Sequence, residues 1–430
     1  MKKGKWKWLA ISLAIIYVVL GVFSIINYGP FATLSDQFAY DNDDSKYIRA
    51  ADTFLKTGTL TYNYVDQPTA FIMPGIIFAL TPFVALFGEQ GSVLGFKIFQ
   101  LILQVFCLYL VWLIAKKMFD KRVALVAVIV SVFYFADYYA LNVILTEVIF
   151  KTLLLTLVLF TLQALESHTV KNYILAAVFW SIAALFRPTI AAYPLIVLII
   201  WLVKRFHFTY ILNYSALVAG IFVVLLSPWW IRNYAQFGEF IPFTASTGDP
   251  MFLGTYINYE EHPEEEALLD YSTLQMPENY ENLYDEFKNN IKETAMAKYR
   301  LETLVPLNPA GYAHWYTIGK TLYQWRMPFV WRPVLNLTLA QIFAEHLLIV
   351  FFFLSGLVLA LLDKRKNASW LFLALIPLYY NCIHLPFYAF SRYIYPAMPI
   401  VIMFASYSSI RIYDGIKHCI KYITIRQPSN

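Results

Sequence analysis

The sequence predicts an all-α polytopic membrane protein. It should have about ten transmembrane helices, helices lying at the outer membrane face, and a small extracytoplasmic lobe. Three observations predict this. Of 430 residues, 59% are hydrophobic and only 14% charged, against about 25% charged in a soluble domain. Apolar runs approaching the roughly 20 residues a spanning helix needs recur along the chain. Basic residues collect in the short connections between alternate runs, the mark of a cytoplasmic side. The composition excludes a disordered chain and a disulfide scaffold. Cys107, Cys382 and Cys419 have no metal or redox spacing and read as small hydrophobes.

The expected spans are 8–27, 93–115, 123–138, 141–163, 172–186, 189–203, 209–229, 342–362, 368–384 and 393–410. The first follows Met-Lys-Lys-Gly-Lys-Trp-Lys-Trp and starts like a signal peptide. Its apolar run, Leu9 to Ile26, is long and no A-x-A site follows, so it reads as an uncleaved anchor. Lys2, Lys3, Lys5 and Lys7 put the N-terminus inside. Lys116-Lys117 with Lys121-Arg122, Lys204-Arg205, Lys364-Arg365-Lys366, and the tail with Arg411, Lys417, Lys421 and Arg426 then also fall inside. Ten spans satisfy all of these, in a cell membrane, with both termini cytoplasmic. Residues 70–87 (AFIMPGIIFALTPFVALF) carry Pro74, Gly75 and Pro82. Counting them as a span would invert everything downstream, so they read as a re-entrant or interfacial outer helix.

The chain therefore divides into a transmembrane module at 1–229, an extracytoplasmic lobe at 230–341, and C-terminal spans with a cytoplasmic tail at 342–430. Within the first module, outer loop 28–69 holds Asp36, Asp41, Asp43, Asp44, Asp52 and Asp66 against Lys46, Arg49 and Lys56. In the lobe, Glu239 to Glu302 contains 14 acidic and 4 basic residues. A polar stretch this long is more than a connector, and 280–304 has helical spacing of its apolar positions.

Candidate chemistry clusters on the outer side. Asp44, Tyr47, Ala51 and Leu55 recur at helical spacing before Gly58, which predicts a short amphipathic helix with an acidic start. Those carboxylates complement the helix dipole; one of them at the membrane boundary can also serve as a general base. Asp137 lies in the outer turn Ala136-Asp137-Tyr138-Tyr139. Glu147 is expected about one and a half turns inside a span, where an acid is costly and points to function. Arg187, Arg232, Arg326, Arg332, His384 and Arg392 collect on the same side, against the positive-inside bias. A bound anion such as phosphate is one reason for them, since guanidinium offers paired donors; salt bridges to the acidic loops are another. No phosphate-binding glycine loop, zinc motif or nucleophile elbow is present. Nor is there a basic aromatic surface for nucleic acid.

These residues resemble the polytopic GT-C glycosyltransferases, in the branch that includes protein O-mannosyltransferases and the lipid A aminoarabinose transferase. Asp44-Ser45-Lys46-Tyr47 with Ala51 resembles the acidic motif opening that family's first outer loop. Met73-Pro74-Gly75 resembles its proline-glycine element. Asp137 stands at its second acidic site, and Thr146-Glu147 resembles its small-residue–Glu pair. Phe186-Arg187-Pro188-Thr189 matches an R-P element. Pro228-Trp229-Trp230-Ile231-Arg232-Asn233-Tyr234 resembles the signature opening the large outer loop, and Arg392-Tyr393 with Pro396 and Pro399 resembles the last outer motif. The chain is short for this family and its lobe small.

The resemblance implies transfer of a sugar from a polyprenyl-phosphate donor to a lipid, glycan or protein acceptor, among membrane lipids. Asp44 would be the catalytic base, with Asp43 as the alternative. Asp137 and Glu147 would orient the acceptor or an arginine. Arg392, Arg232 and Arg187, with Tyr393, would hold the donor phosphate. Such a donor carries its own leaving group, so no metal or other cofactor is implied, although acidic residues could hold a divalent cation. Two rivals stand beside this reading: a transporter or flippase, and a polymerase or ligase of lipid-linked glycans. The spans read as nearly free of charge, whereas transporter sites lie near the midplane, which favours an interfacial enzyme.

Overall fold

A computed structural model describes residues 3–29, 42–363 and 368–426. Lys2, Asp36, Asp41, Lys364, Arg365 and Lys366 lie outside the described residues. Helices α1 (Lys3–Tyr28) and α2 (Asp43–Thr57) come first. They are followed by α3 (Gly75–Met118), α4 (Lys121–Val132), α5 (Ala136–Ala140), α6 (Glu147–Ser167), α7 (Val170–Ala184), α8 (Pro194–Val203) and α9 (Phe208–Phe237). The lobe contributes α10 (Gly248–Leu253), α11 (Pro263–Glu266), α12 (Asp285–Leu304), α13 (Pro309–His314) and α14 (Lys320–Trp325). The chain ends in α15 (Leu339–Leu362), α16 (Ala368–His384), α17 (Ser391–Ile394) and α18 (Met398–Arg426). The all-α polytopic class is as expected.

Among the described residues, six helices are long and apolar enough to cross a membrane: Trp8–Tyr28, Gly75–Met118, Glu147–Ser167, Phe208–Phe237, Leu339–Leu362 and Ser391–Lys421. The other four expected spans correspond to shorter helices, α4, α7, α8 and α16, of 12, 15, 10 and 17 residues. Helix α6 and the Ser391–Lys421 segment are the most enclosed of the six, each with 83% of its apolar window buried, whereas only 6% of that of α9 is buried. Val224 and Ile231 of α9 are accordingly exposed, as suits apolar side chains of a membrane-crossing helix.

Two close approaches fix the packing. Helix α3 would be about 66 Å long if straight, but it breaks at Gly88, whose φ of +68° suits glycine. Phe83 before the break packs edge-on against Phe96 after it, at 5.5 Å. The limb expected to be re-entrant thus folds back on the spanning limb. At Gly356 of α15 a Cβ would sit 2.2 Å from the Phe404 carbonyl of α18, so only glycine permits this contact.

The bundle has two chemically distinct ends. At one, Arg122 forks onto Asp414 at 2.8 Å, Arg411 reaches Asp363 at 2.5 Å, and Lys117 pairs with Glu166. These are the connections the charge pattern grouped together. The other end carries α2, the lobe, and the segments around 140, 187 and 390.

The lobe is tethered through α12, which lies close to its expected position. Arg300 of α12 is fully buried; its Nε donates to Thr255 Oγ1 at 2.9 Å, and its guanidinium covers the Tyr256 ring at 3.9 Å. Glu286 at the start of α12 accepts from the Asn63 amide at 3.1 Å and the Thr69 hydroxyl at 2.6 Å. Burial pushes its carboxyl above the ordinary 4.5, with those hydrogen bonds pulling the other way. Glu286→Ala strands both donors and should cost about 1–3 kcal/mol. The expected readout is a lower unfolding midpoint, with faster amide exchange at 60–70.

Candidate functional site

Helix α2 forms as its sequence predicts. Its first turn carries Asp43 and Asp44 at the positive end of the dipole, and Gly58 closes it at φ +72°, its amide donating to Phe54 O at 2.8 Å. Asp44, Tyr47, Ile48 and Ala51 form the buried face. Leu55, expected on that face, is 43% exposed.

The two aspartates therefore have different surroundings. Asp44 is fully buried, its Oδ1 accepting the Ser45 amide at 2.9 Å. The Asp43 side chain is 35% exposed. Its Oδ1 accepts from the Tyr62 hydroxyl at 2.6 Å and its Oδ2 from Arg392 Nη1 at 2.7 Å. Of the pair, Asp43 is thus the carboxylate that is open and that meets Arg392. Burial raises its pKa, but Arg392 and Tyr62 outweigh that and hold it below the ordinary 3.8. A depressed carboxyl pKa adds stability above the unfolded value, and that stability is lost as pH falls through the folded value. Acid titration below pH 3.8 should therefore weaken the fold less in Asp43→Asn than in the wild type.

Glu147 is not one and a half turns inside a span. It is the first residue of α6. The preceding Leu141–Thr146 stretch is apolar, which disguised it as helix, yet it is a buried irregular segment. Gln100 makes this tolerable by donating to the carbonyls of Leu141 and Val143 at 3.1 and 3.0 Å. At 1% side-chain exposure, Glu147 joins two arginines. Arg187 Nη2 donates to its Oε1 at 2.5 Å, and Arg392 Nε donates to the same oxygen. Arg187 Nε also donates to Thr146 Oγ1 at 2.9 Å. Tyr393 lies against the Arg187 guanidinium at 5.7 Å, its ring stacked on His384 at 4.6 Å.

Asp43, Glu147, Arg187, Arg392 and Tyr393 are thus brought together; Asp137 and Arg232 are not. Asp137 accepts from Lys151 Nζ and the Tyr395 hydroxyl, both at 2.7 Å, in a separate buried cluster. Arg232 donates to the Thr69 carbonyl at 2.6 Å and lies between Trp229 and Phe237, bracing the end of α9. The spans are also less free of charge than expected: Lys97 and Lys151 are both buried in them. Lys151 stands in an otherwise apolar run, and such a charge is a signal in itself. No group of three or more metal-ligating side chains occurs among the described residues.

Residues 66–231 match the family model for dolichyl-phosphate-mannose-protein mannosyltransferases. That stretch contains Glu147 and Arg187; Asp43 and Arg392 lie outside it. No curated protein sequence matches. The fold is similar to the oligosaccharyltransferase AglB of Archaeoglobus fulgidus in complex with an inhibitory peptide and a dolichol-phosphate. The TM-score is 0.57 at 13% identity, covering 100% of this chain and 53% of that one. The same organism's oligosaccharyltransferase tethered to an acceptor peptide gives 0.55 at 15% identity, covering 96% and 50%. ArnT of Cupriavidus metallidurans bound to undecaprenyl phosphate gives 0.44 at 13% identity, covering 95% and 78%. The chain spans about half the length of the oligosaccharyltransferases it resembles. It is a polytopic membrane protein of the GT-C fold, and its residues 66–231 match the dolichyl-phosphate-mannose-protein mannosyltransferase family.

Proposed function

We propose that this chain is a membrane glycosyltransferase that moves a sugar from a polyprenyl-phosphate donor to an acceptor hydroxyl on the extracytoplasmic face. The observation that carries this reading is the convergence of Asp43 and Glu147 on the guanidinium of Arg392, with Arg187 beside it, at one end of the bundle. The opposite, basic end is then cytoplasmic. The family match and the dolichol-phosphate in the AglB complex agree with a lipid-phosphate donor.

The chemistry follows from charge. The acceptor oxygen attacks the anomeric carbon, and the bond from that carbon to the phosphate oxygen breaks. The bonding pair stays on the phosphate, which gains one negative charge. Asp43 takes the acceptor proton, a step typically contributing about 10²–10⁴-fold. Arg392 and Arg187 stabilise the charge developing on the leaving phosphate. Without donor, the two arginines and two carboxylates are balanced. A phosphate entering the cluster competes with Asp43 for Arg392. As Arg392 turns to the phosphate, the restraint on Asp43 is relieved and its basicity rises, so donor binding itself prepares the base.

The purified chain should convert synthetic polyprenyl-phosphate sugars to free polyprenyl phosphate while glycosylating an acceptor. Absence of both products across a panel of hexosyl and pentosyl donors would overturn the reading.

A further inference from the structure

We propose that Lys151 and Tyr395, backed by Asp137, form a clamp that positions Arg392. The proposal rests on the reading above of Arg392 as a phosphate ligand, and deepens it.

Glu147 and Lys151 are four residues apart on α6 and so share one face, one turn apart. Arg392 and Tyr395 are three residues apart across α17 and the 3-10 turn Tyr395–Ala397. The two pairs meet in register. Glu147 takes Arg392, and one turn further along α6 Lys151 Nζ donates to the Tyr395 hydroxyl at 2.9 Å. One contact would fix where the segment sits. Two fix where its arginine points.

The lower contact is fully satisfied. The Tyr395 hydroxyl donates to Asp137 Oδ1 at 2.7 Å and accepts from Lys151 Nζ and from Gln104 Nε2, each at 2.9 Å. That uses its one donor and both acceptor positions. Lys151 and Tyr395 are 1% exposed and Asp137 6%. A buried ammonium and carboxylate are stable only when paired and hydrogen-bonded. Apolar side chains of similar size would fill the same space, so packing alone does not call for this polar set. Orientation of the neighbouring arginine does.

The test uses the full chain in detergent or nanodiscs, with Tyr395→Phe, which keeps the ring, and Asp137→Asn/Lys151→Met, which removes both charges together. Amide exchange at 390–398 is read first, without substrate. It should rise about ten-fold in both variants, while α6 and the unfolding midpoint of Tyr395→Phe hold. With a polyprenyl-phosphate sugar, kcat/KM should fall by up to about 10²-fold, the size of effect expected from a misplaced ligand. The loss should lie mainly in donor KM, with acceptor KM unmoved. Unchanged exchange at 390–398 would overturn the clamp. So would a general loss of protection with donor KM unchanged, which marks a purely structural role. If the wild type transfers no sugar, the functional reading fails, and the exchange result still decides the clamp.

Discussion

Asp43→Asn is expected to abolish sugar transfer and to leave the protein folded. The loss should be about 10²–10⁴-fold in kcat, the usual contribution of a positioned base. The fold should survive because the side chain is 35% exposed and an amide oxygen can still accept from Tyr62 or Arg392. Glu147 also remains to balance Arg392. Asp44→Asn should behave in the opposite way. Asp44 is fully buried, so its replacement should lower the unfolding midpoint more than the turnover of the protein that remains folded. Turnover rates at matched folded fraction separate the two. Normal transfer by Asp43→Asn, with loss in a well-folded Asp44→Asn, would exchange their roles.

The second large effect concerns stability. Glu147→Gln should cost about 3–5 kcal/mol, because it leaves two guanidinium groups side by side without the carboxylate between them. The cluster passes from neutral to a net charge of +1. Adding Arg187→Gln returns it to neutral, so the double variant should regain part of the loss. That recovery is a coupling of the kind seen only between residues in one network. Denaturant unfolding of the two single variants and the double variant measures it. A Glu147→Gln cost under about 1 kcal/mol, or strict additivity with Arg187→Gln, would show that the charges act independently.

Much of the architecture was legible because membranes restrict the options. Apolar length located the long helices, and the basic connections around 117–122 and 411–414 do meet at one end of the bundle. Local signals also sufficed for α2, where acidic residues, helical spacing and Gly58 agree. The misreadings have specific causes. Leu141–Thr146 is as apolar as a span, and the group that lets it leave the helix, Gln100 donating to the carbonyls of Leu141 and Val143, is distant in sequence. Adjacent residues on a helix point about 100° apart, so only one of Asp43 and Asp44 can face the arginines. Which one is decided by how α2 docks on α3, and its own sequence does not encode that. Arg187, Arg232 and Arg392 look alike in sequence. What distinguishes them is the partner each meets across the fold: a backbone carbonyl for Arg232, a shared carboxylate for the other two. Lys151 stands out within an apolar run, but its partner Tyr395 lies some 240 residues away in sequence, and only the fold brings the two together.

Arg392 holds Asp43; in the proposed mechanism a donor phosphate would draw it away and release the base. The most direct measurement of this exchange is the affinity of polyprenyl phosphate for the wild type and for Asp43→Asn. Removing the competing carboxylate should leave binding equal or tighter while turnover is lost. Clearly weaker binding by Asp43→Asn would contradict the exchange and place Asp43 within the phosphate site itself.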